Sequence, residues 1–388
     1  MQKNTGKTNF GKETGRFLFY YLRSMRLYYG FVTGATVFLG LAAASVCFSK
    51  DPLPDWRGMT ALILGFLAWG ANQIFNDWGN LAEDRINAPE RPMVTGKLAV
   101  YPALALSAAL TAGFGAVSLF LNWLTLLPLT LGVLLNLAYN WAKGVPVVGC
   151  AVYSLSITQC VLFGFLIGAA DCISVSCADG ISLAGSQNIP TSADVLSPAS
   201  SPALSPASAS ALSPASASAV FSPFIPAVLL VFLTHFTMCH FSYFKDCEGD
   251  AAAGKRTLQV VCGSRFSLWF GLLPLAAVWG MLAFPGVFAY SLWLETAGSL
   301  WLTLCLYAAI LREDYYSATC LNCQNCVWLV LAPLSGFWPA VHLSANQLSA
   351  FLPSAVSFPD VSLPAGSLAG LTACVCIRVL YAWYGEKE

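Results

Sequence analysis

The sequence predicts an all-α fold: a polytopic transmembrane bundle of nine or ten helices around a central cavity. Three observations carry that prediction. Hydrophobic residues make up 57% of the 388 and charged ones only 10%, whereas a water-soluble chain has about a quarter of its residues charged. The mean hydropathy is +0.66. Apolar runs of about 20 residues, the length that crosses a hydrocarbon core, recur at 27–48, 59–79, 98–120, 123–142, 146–170, 224–245, 265–285, 290–311, 325–345 and 366–385.

Lys3, Lys7, Lys12, Arg16, Arg23 and Arg26 precede the first run, so residues 1–26 read as a cytoplasmic basic arm. The run from Leu27 to Phe48 is long enough to span and lacks a small-residue cleavage pattern, which makes it a first helix and not a cleaved leader. Leu98 to Ala142 holds no charge and is long enough for two spans, with Asn122 and Trp123 as the hairpin between them. Between the fifth and sixth runs the unit LSPAS recurs at 196–200, 204–208 and 212–216. Ser, Ala and Pro cannot build a core, so 175–222 is expected to be a disordered loop insertion, external by parity and tolerated for its surface position, with a functional tether as the alternative reading. The stretch joining the last two runs is itself apolar and rich in Pro and Ser, and 366–385 counts as an additional helix.

With a cytoplasmic N-terminus and ten spans, the outer loops hold only Lys50 and Arg57 of the 19 basic residues. That is the positive-inside bias. The net charge of zero gives no sign of a nucleic-acid partner, and the fourteen cysteines lie mostly inside apolar runs, as small hydrophobes would, which argues against a disulfide framework.

Two polar clusters interrupt this apolar chain on the predicted cytoplasmic side. In NDWGNLAEDRINAPERP, Asn76 to Pro92, the residues Asn72, Asn76, Asn80 and Asp84 are four apart and form one slowly drifting helical stripe, with Asp77 about 100° off it. Polar side chains at membrane depth are costly unless they face a cavity or partners. The second cluster, YFKDCEGDAAAGKRTL, Tyr243 to Leu258, puts Asp246 and Asp250 on one helix face, and Gly249 allows close approach of a ligand or neighbouring helix. Paired carboxylates trailed by Lys and Arg suit a hard cation such as Mg²⁺ bridging phosphate oxygens, which makes a diphosphate the natural guest.

The first cluster resembles the first aspartate-rich motif of the UbiA-type intramembrane prenyltransferases, NDxxDxxxD with a basic, Pro-containing tail, here RINAPERPMVTGKL. The second resembles the family's DxxxD motif followed by GKRTL, and YNWAKGVP, with Tyr139 and Lys143, matches the polar loop after the fourth span. The resemblance covers residues 27–345. It implies Mg²⁺ on Asp77, Asn80, Asp84, Asp246 and Asp250, with Asp84, Asp246 and Asp250 catalytic. It implies substrate contacts from Asn76, Asn80, Arg85, Arg91, Lys97, Tyr139, Lys143, Lys245, Lys255 and Arg256. The reaction implied is Mg-dependent transfer of a prenyl group from a prenyl diphosphate to a lipophilic or aromatic acceptor, within membrane lipid. Two departures stand out: Asn80 replaces the motif's central Asp, and Gln259 replaces the usual Pro after TL.

The rival readings are a UbiA-type terpene cyclase or diphosphate lyase, which would share both motifs and lack an acceptor, and a membrane transporter. Blander readings apply to single features. Inter-helix hydrogen bonding would explain the stripe, His235 and His240. Solvated loop ends would explain Glu83, Glu90 and Glu248. Cys320, Cys323 and Cys326 have metal-like spacing without a fourth ligand nearby.

Overall fold

The computed structural model describes residues 5–48, 54–170, 223–284, 287–288, 292–337, 341–343 and 361–384. The Ser/Ala/Pro repeat lies outside them. In chain order the helices are α1 (Thr5–Met25), α2 (Gly30–Cys47), α3 (Trp56–Gly79), α4 (Leu81–Asn87), α5 (Val100–Leu121), α6 (Leu126–Ala142) and α7 (Val148–Gly168). They continue as α8 (Phe224–Ala252), α9 (Leu258–Ala283), α10 (Trp293–Leu311), α11 (Tyr315–Leu331), α12 (Leu334–Phe337) and α13 (Ala365–Tyr384). Two short antiparallel strands, β1 (Val341–Leu343) and β2 (Val361–Leu363), precede α13. Among the described residues nine helices are long and apolar enough to cross a membrane.

Local sequence sets the ends of these helices. Asp55 caps α3 by accepting the Gly58 N–H at 2.8 Å, filling one of the donors a helix start leaves free. Asn122 closes the α5–α6 hairpin as expected: its side chain accepts from Leu124 N–H at 3.1 Å and donates to the Leu166 carbonyl at 2.9 Å. Small residues let α2 and α7 touch. A Cβ at Gly40 would overlap the Val161 carbonyl, and one at Gly164 would overlap that of Val37. Close backbone approach of this kind is how membrane helices gain contact where lipid removes the hydrophobic drive.

The structure corrects one span. The ninth apolar run was expected at 325–345, but the helix is Tyr315–Leu331, followed by α12 and β1. Asn322 and Asn325 make its middle look too polar to span. Both are buried and paired, Asn322 with the Met238 carbonyl at 2.8 Å and Asn325 with Ser299 and Thr303 at 2.8 and 3.0 Å. At 17 residues α11 falls just short of a full apolar span, yet it traverses the bundle. Its C-terminal end meets the start of α10, where Trp328 Nε1 donates to the Glu295 carbonyl. The start of α13 is there too, since Ser367 bonds the Glu295 carboxylate at 2.7 Å. The other end of α13 reaches the α1–α2 junction, where Tyr384 Oη donates to the Leu22 carbonyl and accepts from Leu27 N–H. The helix at the predicted 366–385 is therefore present and antiparallel to α11.

The histidines and cysteines singled out in the sequence are packing groups. His240 Nε2 reaches the Ser267 carbonyl on α9 at 2.7 Å, an inter-helix bond, whereas His235 Nδ1 bonds the Val231 carbonyl of its own helix. Cys320, Cys323 and Cys326 are buried in the main core cluster with Tyr28, Ile377 and Tyr381.

Candidate active site

The two polar clusters meet at one end of the bundle. Helix α3 stops at Gly79, with Asn80 as its C-cap, and α4 restarts at Leu81. Across this break Asn80 N–H still bonds the Asn76 carbonyl at 3.0 Å and Asp84 N–H the Asn80 carbonyl at 2.8 Å, but the Asp84 side chain is not bonded to the stripe. It is paired instead with Asp77, through Arg91. The Arg91 guanidinium lies 2.5 Å from Asp84 Oδ2 and 3.8 Å from Asp77 Oδ1. Asp77 also accepts from Gln73 at 2.8 Å, one turn earlier on α3, and from Arg26 at 3.2 Å. Arg26 has φ 47° and sits at the joint between α1 and α2, which turns its side chain into the bundle.

Asn80 does not stand free. Its Nδ2 donates to the Asn76 carbonyl and side-chain oxygen at 2.9 and 3.0 Å, and its Oδ1 accepts from Lys255 Nζ at 3.1 Å. Lys255 also pairs with Glu83 at 2.5 Å. Glu83 was read as a solvated loop end; it is buried instead, because α4 turns it toward the loop after α8. That loop turns at Gly254, with φ 73°, and is tied back by the Lys255 N–H to the Asp250 carbonyl at 2.8 Å.

Helix α8 runs on to Ala252, so Asp246 and Asp250 do share a helical face. Lys143, just past α6, lies 2.8 Å from Asp250 Oδ1 and 3.9 Å from Asp246 Oδ2, and 5.5 Å from the centre of the Tyr243 ring. Asp250 is fully enclosed, and its Oδ2 has no hydrogen-bond partner. Asn87 joins the clusters: it donates to the Asp246 carbonyl at 3.2 Å and accepts the Gly249 N–H at 2.8 Å. A side chain at Gly249 would overlap Asn87, so the close approach foreseen there is by a neighbouring helix.

Burial and charge shift the titrating groups here. Burial raises the Asp84 carboxyl to about 6; Asp77 adds to the rise, while Arg91 and Arg26 oppose it. Burial would also raise Glu83, but Lys255 and Lys143 carry it below the usual range. For Lys143 burial favours the neutral amine, and Asp246 and Asp250 overcome it to hold the charge.

The end therefore gathers five carboxylates (Asp77, Glu83, Asp84, Asp246, Asp250) against four cations (Arg26, Arg91, Lys143, Lys255). Beneath them Tyr243 Oη donates to Tyr139 Oη at 3.2 Å, and Tyr139, Tyr153, Trp69 and Tyr29 follow as a chain of ring contacts. Arg85, Lys97 and Arg256 are exposed and outside the paired set; Lys245 is half-buried. Arg26, Gln73, Glu83 and Asn87 were missed in the sequence. Spacing gave a signal only for Gln73, one turn from Asp77, and for Asn87, one turn past Glu83.

No three His, Cys, Asp or Glu side chains among the described residues converge as a ready metal cage. The donor set nonetheless fits Mg²⁺. Its hard oxygens match that ion, and Asp250 Oδ2, buried without a hydrogen-bond partner, is an oxygen a cation would satisfy.

A bundle of long apolar helices with one buried, carboxylate-rich and cation-rich end defines the class: a multi-pass integral membrane protein. The model of the UbiA prenyltransferase family matches residues 35–321, and the chain belongs to that family. It is 32% identical over 105 residues to the digeranylgeranylglyceryl phosphate synthase of Natronomonas pharaonis, covering 27% of this chain and 38% of that one. The protein of that name from Korarchaeum cryptofilum is 33% identical over 113 residues, covering 29% and 40%. The match thus spans about two fifths of the length of these curated relatives. A solved UbiA homologue from Aeropyrum pernix K1 superposes with a TM-score of 0.51 at 19% identity, covering 78% of this chain and 96% of that one, a likeness of fold.

Proposed function

We propose that the protein transfers a prenyl group from a prenyl diphosphate to a lipid acceptor inside the membrane, with Mg²⁺. The observation that carries this reading is the charge pattern: five carboxylates face four cations directly above a row of contacting aromatic side chains. Asp77, Asp84, Asp246 and Asp250, with Asn80, would hold Mg²⁺, which when bound supplies the positive charge that lets the diphosphate settle and leave.

Arg91, Lys143 and Lys255 would take the remaining phosphate oxygens, exchanging their present carboxylate partners for the substrate. Asn76 keeps Asn80 oriented, and Tyr139 closes the floor of the site. Arg85, Lys97, Lys245 and Arg256 would draw the anion toward the opening. Below, the faces of Tyr139, Tyr153 and Trp69 would stabilise the developing allylic cation and exclude water. The name of the matched relatives supports a glyceryl lipid acceptor over an aromatic one. The basic-residue bias supports a site facing the cytoplasm.

The test is to incubate purified protein with labelled prenyl diphosphates, Mg²⁺ and membrane lipid extract, then identify the product by mass. A prenylated lipid is expected. A free terpene would assign the cyclase or lyase reading instead, and no turnover with any prenyl diphosphate would overturn both.

A further inference from the structure

A cavity of about 590 Å³ lies between α2, α3, α5, α6 and α7. Its wall is mostly apolar, with Val37, Leu64, Phe114 and Phe163 among the lining, but Asn72 and Asn136 also face it. Asn72 stands on α3 one turn, about 6 Å along the axis, before Asn76. Asn136 stands on α6 two turns before Lys143. The pair therefore sits where the polar end gives way to the apolar cavity.

Asn136 Nδ2 donates to Asn72 Oδ1 at 2.6 Å. Neither side chain makes another hydrogen bond among the described residues, so an amide N–H group and an amide carbonyl are left over in the cavity wall. Exchanging oxygen and nitrogen in both amides still leaves one of each. One turn nearer the carboxylates, Asn140 Oδ1 is buried without a partner, so the α3–α6 seam is polar beyond its own needs. Unpaired amides at membrane depth are costly, and polar groups there mark ligand paths.

The geometry points to the Asn72–Asn136 pair as the binding site for a hydroxyl group of the acceptor, a lipophilic alcohol whose hydrocarbon part occupies the cavity. The O–H donates to the spare carbonyl and its oxygen accepts from the spare N–H, a complementarity that an aromatic carbon or an olefin lacks. The inference rests on the prenyl-transfer reading. In the transfer, the bond from the prenyl carbon to the diphosphate oxygen breaks with its electron pair going to diphosphate. The alcohol oxygen forms the new C–O bond, and the hydroxyl proton passes to the departing diphosphate.

The test compares two probes in detergent at equal mole fraction: a monododecyl glyceryl ether and its fully O-methylated counterpart. Thermal unfolding of the wild type should shift upward more with the alcohol, with affinity about tenfold or more above that of the methylated probe. The apolar near-isostere Asn72→Leu/Asn136→Leu keeps the α3–α6 contact and should lose that preference while keeping the shift caused by geranylgeranyl diphosphate with Mg²⁺. Equal shifts from the two probes in the wild type, or a preference retained in the double variant, would overturn the assignment. Absence of any shift from geranylgeranyl diphosphate would count against the prenyl-transfer reading alone, because the probe comparison does not depend on it.

Discussion

The pairing of Lys143 with Asp250 should be measurable as a coupling energy. Lys143 Nζ lies 2.8 Å from Asp250 Oδ1; the two side chains are 5% and 0% exposed. At an effective dielectric of about 20, unit charges 2.8 Å apart attract by about 6 kcal/mol. Removing both from water offsets part of this, and stranding one member of a buried pair costs about 3–5 kcal/mol. Lys143→Met should therefore destabilise the metal-free protein by about that amount. Asp250→Asn should cost less, because Lys143 keeps Asp246 at 3.9 Å. The double variant strands neither member of the close pair and leaves only the more exposed Asp246 without Lys143, so its loss should fall short of the sum by about 2–3 kcal/mol. The assay is equilibrium unfolding in detergent with chelator, followed by tryptophan fluorescence. Additivity within about 0.5 kcal/mol would show that these charges do not hold each other, and the reasoning would fail.

Four further outcomes follow from the same site. Turnover should vanish in excess chelator and return with Mg²⁺ or Mn²⁺; full activity in EDTA would remove the metal from the reading. Asp84→Ala and Asp250→Ala should each lower the rate by orders of magnitude with the fold retained, and the double variant should add little, since either loss disables the same ionisation; multiplicative losses would separate the clusters. Asp84 has its carboxyl raised to about 6, so the stability it contributes is fully present below about pH 4 and is lost as pH rises through about 6. In chelator, the stability of wild type relative to Asp84→Asn should fall by about 2–3 kcal/mol between pH 4 and pH 7, and a constant or growing difference in unfolding titrations would contradict that sign. Asn80→Asp keeps the Lys255 contact but turns an oxygen toward the Asn76 carbonyl and side-chain oxygen; it should cost about 1–3 kcal/mol in chelator, with Mg²⁺ restoring part of it, and no loss would mean those contacts are weak.

The sequence by itself determined the class of this protein. In lipid a backbone is satisfied only in helices or a closed barrel, and unbroken apolar runs of about 20 residues choose helices and fix where most of them lie. It also placed both carboxylate clusters at helix ends, because spacing of four is a local property that survives folding, as Asp246 and Asp250 show on α8. Only the tertiary structure decided which carboxylate meets which cation. Arg91, from the loop after α4, joins Asp77 on α3 to Asp84 on α4, and Lys143 reaches Asp250 from the end of α6. Arg26 enters the site by the turn of a joint, which has no period to read, and Glu83 and Asn87 enter on α4, a helix of seven residues too short to show which of its faces is buried. The same holds for α11: hydropathy counts Asn322 and Asn325 as exposed to lipid, and only packing against α8 and α10 supplies the partners that let them cross. Periodicity reports what a segment needs, and the fold decides who provides it.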